Sequence, residues 1–167
     1  MSKYMAVLLS VALLTCADIG MPVPGVTPIP PDIPAAELLA TQDTVTVEGR
    51  ALTLSTYMWR DFMPMSPPSG KPLIAIAYID AIDTTTMPSS IRADAIWIVY
   101  GGQVWRSYFA EEPGPPDPLR PYRLERIARN GPLWGPGIHV DVVVRIFDGR
   151  GGTHFLGAPH QYIGRTD

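Results

Sequence analysis

Three histidines, a scatter of carboxylates and one cysteine are the residues of this chain with the strongest claim to chemistry. His139 and Asp141 stand two apart in an alternating run, so on a strand both point the same way. A hairpin would bring His154 toward them and set two imidazoles and a carboxylate within reach of an ion such as zinc. The spacing is loose, however, and no cysteine or second paired ligand joins the set. The pattern reads as polar residues on the outer face of a half-buried strand, and no metal is expected. Asp148-Gly149-Arg150-Gly151-Gly152 lacks the repeated acids of a calcium loop and reads as a turn. There is no Gly-x-Ser-x-Gly elbow to activate a serine. Asp80, Asp83, Asp94, Glu111, Glu112, Asp117 and Glu125 fall mostly in expected loops, where solvated acids are usual. No glycine-rich turn follows a strand and opens a helix to cradle phosphate. The chain reads as a non-enzyme with no catalytic residue and no cofactor.

The single cysteine excludes an intrachain disulfide and needs another explanation. Lys3 is the only basic residue before Arg50, and an apolar run over residues 4–15 follows it. About 12 helical residues at roughly 1.5 Å each fall short of a hydrocarbon core of about 30 Å, so the run reads as a secretory signal. Its end, Leu13-Leu14-Thr15-Cys16, resembles the lipobox of bacterial lipoproteins. That resemblance implies cleavage before Cys16 and lipidation of Cys16 as the mature N-terminal residue. Two other readings stand beside it: cleavage after Ala17 by ordinary signal peptidase, and an uncleaved short anchor with Lys3 on the cytoplasmic side. Each places the remainder on the periplasmic or other extracytoplasmic face, anchored to the membrane in the first and third.

Residues 16–43 read as a tether. Pro22, Pro24, Pro28, Pro30, Pro31 and Pro34 favour extended polyproline conformation, a semi-rigid spacer that could equally drape over a neighbour as a strap. The whole chain of 167 residues carries 19 prolines, 15 glycines and a formal net charge of −3. The first two counts imply many turns and little helix. The third gives no basic stripe for nucleic acid.

From Thr44 the apolar residues recur with period two, and residues 44–167 read as one all-β domain. Thr44-Val45-Thr46-Val47 and residues 51–59 alternate, whereas residues 73–79 are apolar on both faces, as in a covered central strand. Gly101-Gly102 between two strand-like runs marks a tight hairpin. Ile138, Val140, Val142, Val144 and Ile146 share one strand face, opposite His139, Asp141, Val143, Arg145 and Phe147. Seven or eight short strands predict an antiparallel two-sheet sandwich, similar to immunoglobulin-like or fibronectin-like domains, with a β-barrel as the runner-up.

Recognition surfaces are better supported than catalysis. Trp59, Arg60, Phe62, Met63 and Met65 crowd the end of a strand and the loop after it. Either Arg60 pairs with Asp61 while Phe62, Met63 and Met65 cover one end of the sandwich, or the loop is a partner-binding tip, since such residues are enriched where partners bind. Trp97 and Trp105 flank the glycine hairpin and could form a cross-strand aromatic ladder, either core or sugar platform. The expected role is a non-catalytic, membrane-tethered subunit that binds or braces protein partners in an envelope complex. A carbohydrate- or small-ligand-binding lipoprotein is the runner-up and a hydrolase the third reading.

Overall fold

A computed structural model describes residues 29–110 and 117–167 of the chain. Cys16, the expected signal over residues 1–15 and the first part of the expected tether lie outside the described residues. One short helix, α1 (Ala35–Leu39), precedes eight strands: β1 (Thr44–Val47), β2 (Arg50–Asp61), β3 (Ile74–Ala81), β4 (Arg92–Tyr100), β5 (Gln103–Tyr108), β6 (Arg123–Ala128), β7 (Ile138–Phe147) and β8 (Thr153–Thr166).

Local turn chemistry accounts for three hairpins. Val47 pairs with Arg50 across Glu48 and Gly49, whose φ angles of 50° and 77° are those of a primed turn matched to strand twist. Gly101 and Gly102 do the same at 56° and 81°, joining β4 to β5 as their sequence predicts. The β7–β8 hairpin also forms, and the predicted inner face is the observed one. Val140, Val142, Val144 and Ile146 are buried in the main core, with Ile138 packed at its margin.

The strands run in the order β5-β4-β7-β8-β2-β3-β6, with β1 added to β2. They form a single mixed sheet that curls like half a barrel, where a two-layer antiparallel sandwich was expected. The difference lies in one ladder. β8 runs parallel to β2 from Met58↔Ile163 to Asp61↔Thr166, stitching the β2–β3–β6 half to the β5–β4–β7–β8 half. Alternation reports which face of a strand is apolar, and is silent about which distant strand lies beside it.

β1 and β8 share one edge of β2, β1 opposite residues up to Thr53 and β8 from Met58 onward. Thr56 lies between them without a backbone partner on that side, and Gln161 Oε1 accepts its N–H at 3.0 Å and its hydroxyl at 2.9 Å. A side-chain amide thus completes the ladder, as the cost of an unpaired buried donor requires. Gln161 is aimed by a bulge. Asp141 of β7 faces two residues of β8, Pro159 and His160, and its carboxylate accepts the His160 N–H at 3.2 Å.

The inner face of the sheet holds the main core, including Leu52, Met58, Ile79, Ile96, Ile98, Val144, Leu156 and Ile163. A second, smaller core sits on the outer face. Residues 29–43, the latter part of the expected tether, lie as a strap across β4 and β7. Leu38 is buried there with Ala95, Trp97, Val99 and Val143, and Ile33 and Ala35 pack at the margin. Asp32 pairs with Arg106 at 2.7 Å, and Gly157 of β8 donates its N–H to Gln42 O at 2.8 Å. A Cβ on Gly157 would stand 3.0 Å from Thr41 O, so glycine lets the strap approach this closely. From Pro31 onward the strap is thus held against the sheet.

Candidate interaction surface

The strap covers the outer face of one half of the sheet and stops there. Cross-strand register sets what stands on the outer face of the other half. Tyr57 of β2 is opposite Ile76 of β3, which is opposite Ile127 of β6; Trp59 is opposite Ile74 on one side and Gly164 of β8 on the other. Tyr162 extends the row on β8, and its ring lies 5.4 Å from the His139 imidazole. Among the described residues nothing packs over this row. Tyr57 and Tyr162 are 54% and 55% exposed, while Trp59, Ile74, Ile76 and Ile127 are half-buried by their neighbours. The Tyr57 and Trp59 rings lie side by side at 5.1 Å with planes tilted by 34°.

One end of this face is bounded by charge. Arg123 holds Asp80 with two hydrogen bonds of 2.8 and 2.7 Å and lies over the Tyr78 ring at 4.3 Å. The hydrogen bond to Asp80 raises the Arg123 pKa above its ordinary value. Burial and the nearby Glu125 carboxylate push the Tyr78 phenol above its ordinary value.

The partner-facing residues expected from sequence separate into three groups. Trp59, Met63 and Met65 are available at the surface, Met63 being 51% and Met65 94% exposed at the tip beyond β2. Phe62 is half-buried, its ring between the guanidinium groups of Arg60 at 4.9 Å and Arg165 at 4.2 Å. Arg60 and Trp97 are not presented to solvent. Arg60 is 3% exposed and points inward, donating to the carbonyls of Lys71 at 3.1 Å, Leu133 at 3.1 Å, Gly135 at 2.8 Å and also Ser69. It ties the 62–73 and 131–137 loops together, and desolvation lowers its pKa. Asp61 next to it pairs instead with Lys71, whose hydrogen bond holds the carboxyl below its usual value.

Trp97 is fully buried beneath the strap, and its Nε1–H donates to Pro31 O. Trp105 is partly buried against the main core on the inner face. The ladder expected between them does not form. The hairpin pairs Trp97 with Arg106 and Ile98 with Trp105, so the two indoles point to opposite faces. His139 and His154 are likewise apart, His139 opposite Tyr162 and His154 opposite Ile146 near the other end of the ladder. His154 contacts Asp148 at 3.2 Å. Among the described residues no three acids, histidines or cysteines converge on a metal position, and no helix is long and apolar enough to cross a membrane.

Sequence reasoning missed Tyr57, Ile74, Ile76 and Tyr162 as members of one surface. The signal was there in part. Tyr57 and Trp59 are out of phase with Leu52, Leu54 and Met58, so large apolar residues stand on both faces of β2. Compared with protein-family models, curated proteins and solved structures, the chain matches none.

Proposed function

We propose that the protein is a non-catalytic binding module, tethered to the membrane through its N-terminal segment on the extracytoplasmic side, that engages a protein partner with the outer face of β8–β2–β3. The observation that carries this is the uncovered row Tyr162, Trp59, Tyr57, Ile74 and Ile76, set against the equivalent outer face of β4 and β7, which the strap does cover. Contiguous exposed apolar surface mixed with aromatics is the composition of interface cores. Met63 and Met65 at the end of β2 add adaptable contacts.

The test is extraction of the full chain from its membrane in mild detergent, followed by sizing. The module is expected in a complex that a Tyr57→Ser/Tyr162→Ser variant no longer enters. A monomeric profile for the unaltered chain would sink the reading. Intact-mass measurement on the same sample tests the lipid proposed for Cys16, which an unmodified thiol would overturn.

A carbohydrate-binding role is the second reading, supported by the Tyr57–Trp59 ring pair, on which a sugar face could stack. It ranks lower because the adjoining side chains are isoleucines, whereas sugar hydroxyls need hydrogen-bonding groups around the rings. Tryptophan fluorescence that stays flat across a broad glycan panel would remove it.

We also read the two antiparallel halves, β2–β3–β6 and β5–β4–β7–β8, as the layers of an immunoglobulin-like sandwich joined by the β2–β8 ladder. The support is that both halves contribute their inner faces to one core. An experimental structure in which those inner faces do not oppose one another would count against it.

A further inference from the structure

We infer that the seam of the half barrel, between the start of β4 and the edge strand β6, is a binding site for a small organic carboxylate, distinct from the outer face. A cavity of about 370 Å³ opens there, lined by Arg92, Ala93, Asp94, Arg126 and Phe147. Its volume lies within the range of small-ligand pockets.

Two guanidinium groups in this lining have no carboxylate partner among the described residues. Arg126 stands on the inner face of β6, where its cross-strand neighbour Ala77 is fully buried. Its Nε is buried and finds no acceptor. Neither Arg126 nor Arg92 takes part in an ion pair among the described residues. The one acid in the lining among the described residues is already used. Asp94 receives Arg145 Nε at 2.9 Å and Nη2 at 2.6 Å, so its charge is matched within the protein. Among the described residues the lining thus holds more positive than negative charge, in a chain whose formal net charge is −3.

A buried N–H without an acceptor is costly, and a guanidinium fork is the side chain best matched to a planar carboxylate. An inward charge on an edge strand can also serve to block pairing with another sheet edge. That purpose would account for Arg126 alone; Arg92, exposed at the start of β4 before the first β4–β5 pair at Ala95, lines the same opening. The Phe147 ring and the Ala93 methyl give the cavity an apolar wall. They suit an anion with an organic body, which inorganic phosphate lacks.

The experiment titrates the isotope-labelled full chain, held in a neutral detergent, with benzoate, its neutral isostere benzamide, and inorganic phosphate. Benzoate is expected to shift the Ala93 amide and the Arg126 Nε–H resonance saturably. Arg92 is exposed, so Arg92→Gln keeps the fold, and it is expected to weaken binding about tenfold, the worth of one charge-assisted hydrogen bond. Arg126→Lys, which retains the charge but not the fork, is expected to weaken it as well. Absence of saturable benzoate shifts, equal shifts with benzamide, tighter binding of phosphate than benzoate, or unchanged affinity in folded Arg92→Gln would each overturn the assignment.

Discussion

The indole Nε1–H of Trp97 donates to the carbonyl of Pro31 at 3.2 Å, a hydrogen bond between residues 66 positions apart. It joins the centre of β4 to a proline-rich segment and makes that segment part of the fold. The Trp97 ring also meets Phe155 edge-on at 5.7 Å, so strap, β4 and β8 converge on one side chain.

The strap's contribution is measurable in urea. Leu38→Ala should destabilise the domain by about 3 kcal/mol, since Leu38 is 3% exposed within the second core. Trp97→Phe should cost about 1–2 kcal/mol through loss of the hydrogen bond and part of the packing. Hydrogen exchange at Gly157, whose amide bonds to Gln42 O, should quicken in the Leu38 variant. Unchanged Gly157 exchange would show that the strap is held without Leu38.

Arg60 should behave as a structural residue. Arg60→Met leaves the carbonyls of Lys71, Leu133, Gly135 and Ser69 without their shared donor and should cost about 3 kcal/mol. Arg60→Lys should recover only part of this, because an ammonium cannot span the same acceptors. Equal stability of the lysine variant and the unaltered chain in chemical denaturation would contradict the role.

Two glycines with similar backbones should respond differently. Gly49 has φ 77° with nothing within 4 Å of an added Cβ, whereas at Gly70, φ 73°, that Cβ would sit 2.6 Å from Phe62 Cζ. Gly49→Ala should cost about 1 kcal/mol for left-handed backbone alone. Gly70→Ala should cost more, because the Phe62 ring must also leave its place between Arg60 and Arg165. Melting curves of the two variants make the comparison, and equal losses would refute it.

The acid limb of stability should depend on Asp148. Its Oδ1 accepts the amides of Gly152 at 2.7 Å and Arg150 at 2.8 Å, and its Oδ2 faces His154 Nε2 at 3.2 Å. These contacts, led by the Gly152 amide, hold the carboxyl below its ordinary value of 3.8. A depressed folded pKa means that the ionised group stabilises the fold fully above the unfolded value and stops doing so as pH falls through the folded one. Asp148→Ala should therefore lower Tm near neutral pH, and the gap to the unaltered chain should close as pH falls through the depressed folded value of the carboxyl. A gap independent of pH would show that the charge plays no part.

Surface substitutions on the uncovered face should separate binding from folding. Tyr57→Ser and Tyr162→Ser, each at a side chain more than half exposed, should change stability by no more than about 0.5–1 kcal/mol. Together they should abolish entry into the complex. Loss of stability beyond that range would mark these rings as core.

The strands and tight turns were legible along the chain. The alternation from Ile138 to Phe147 and the glycines at 101 and 102 specify strand faces and a hairpin through local backbone preferences, and both appear as read. Local patterning also makes residues 73–79 apolar on both sides. What it leaves open is the cover for each face. Tertiary structure decided that Trp97 lies under Pro31 and Leu38, that Arg60 turns inward, and that Tyr57 and Trp59 remain uncovered. It also decided that β8 lies parallel to β2, making one curled sheet of what read as two layers. Side-chain alternation is a property of neighbouring residues, whereas strand order and face coverage arise from contacts between residues far apart in sequence, 66 positions for Trp97 and Pro31 and 105 for Thr56 and Gln161. No local period encodes those.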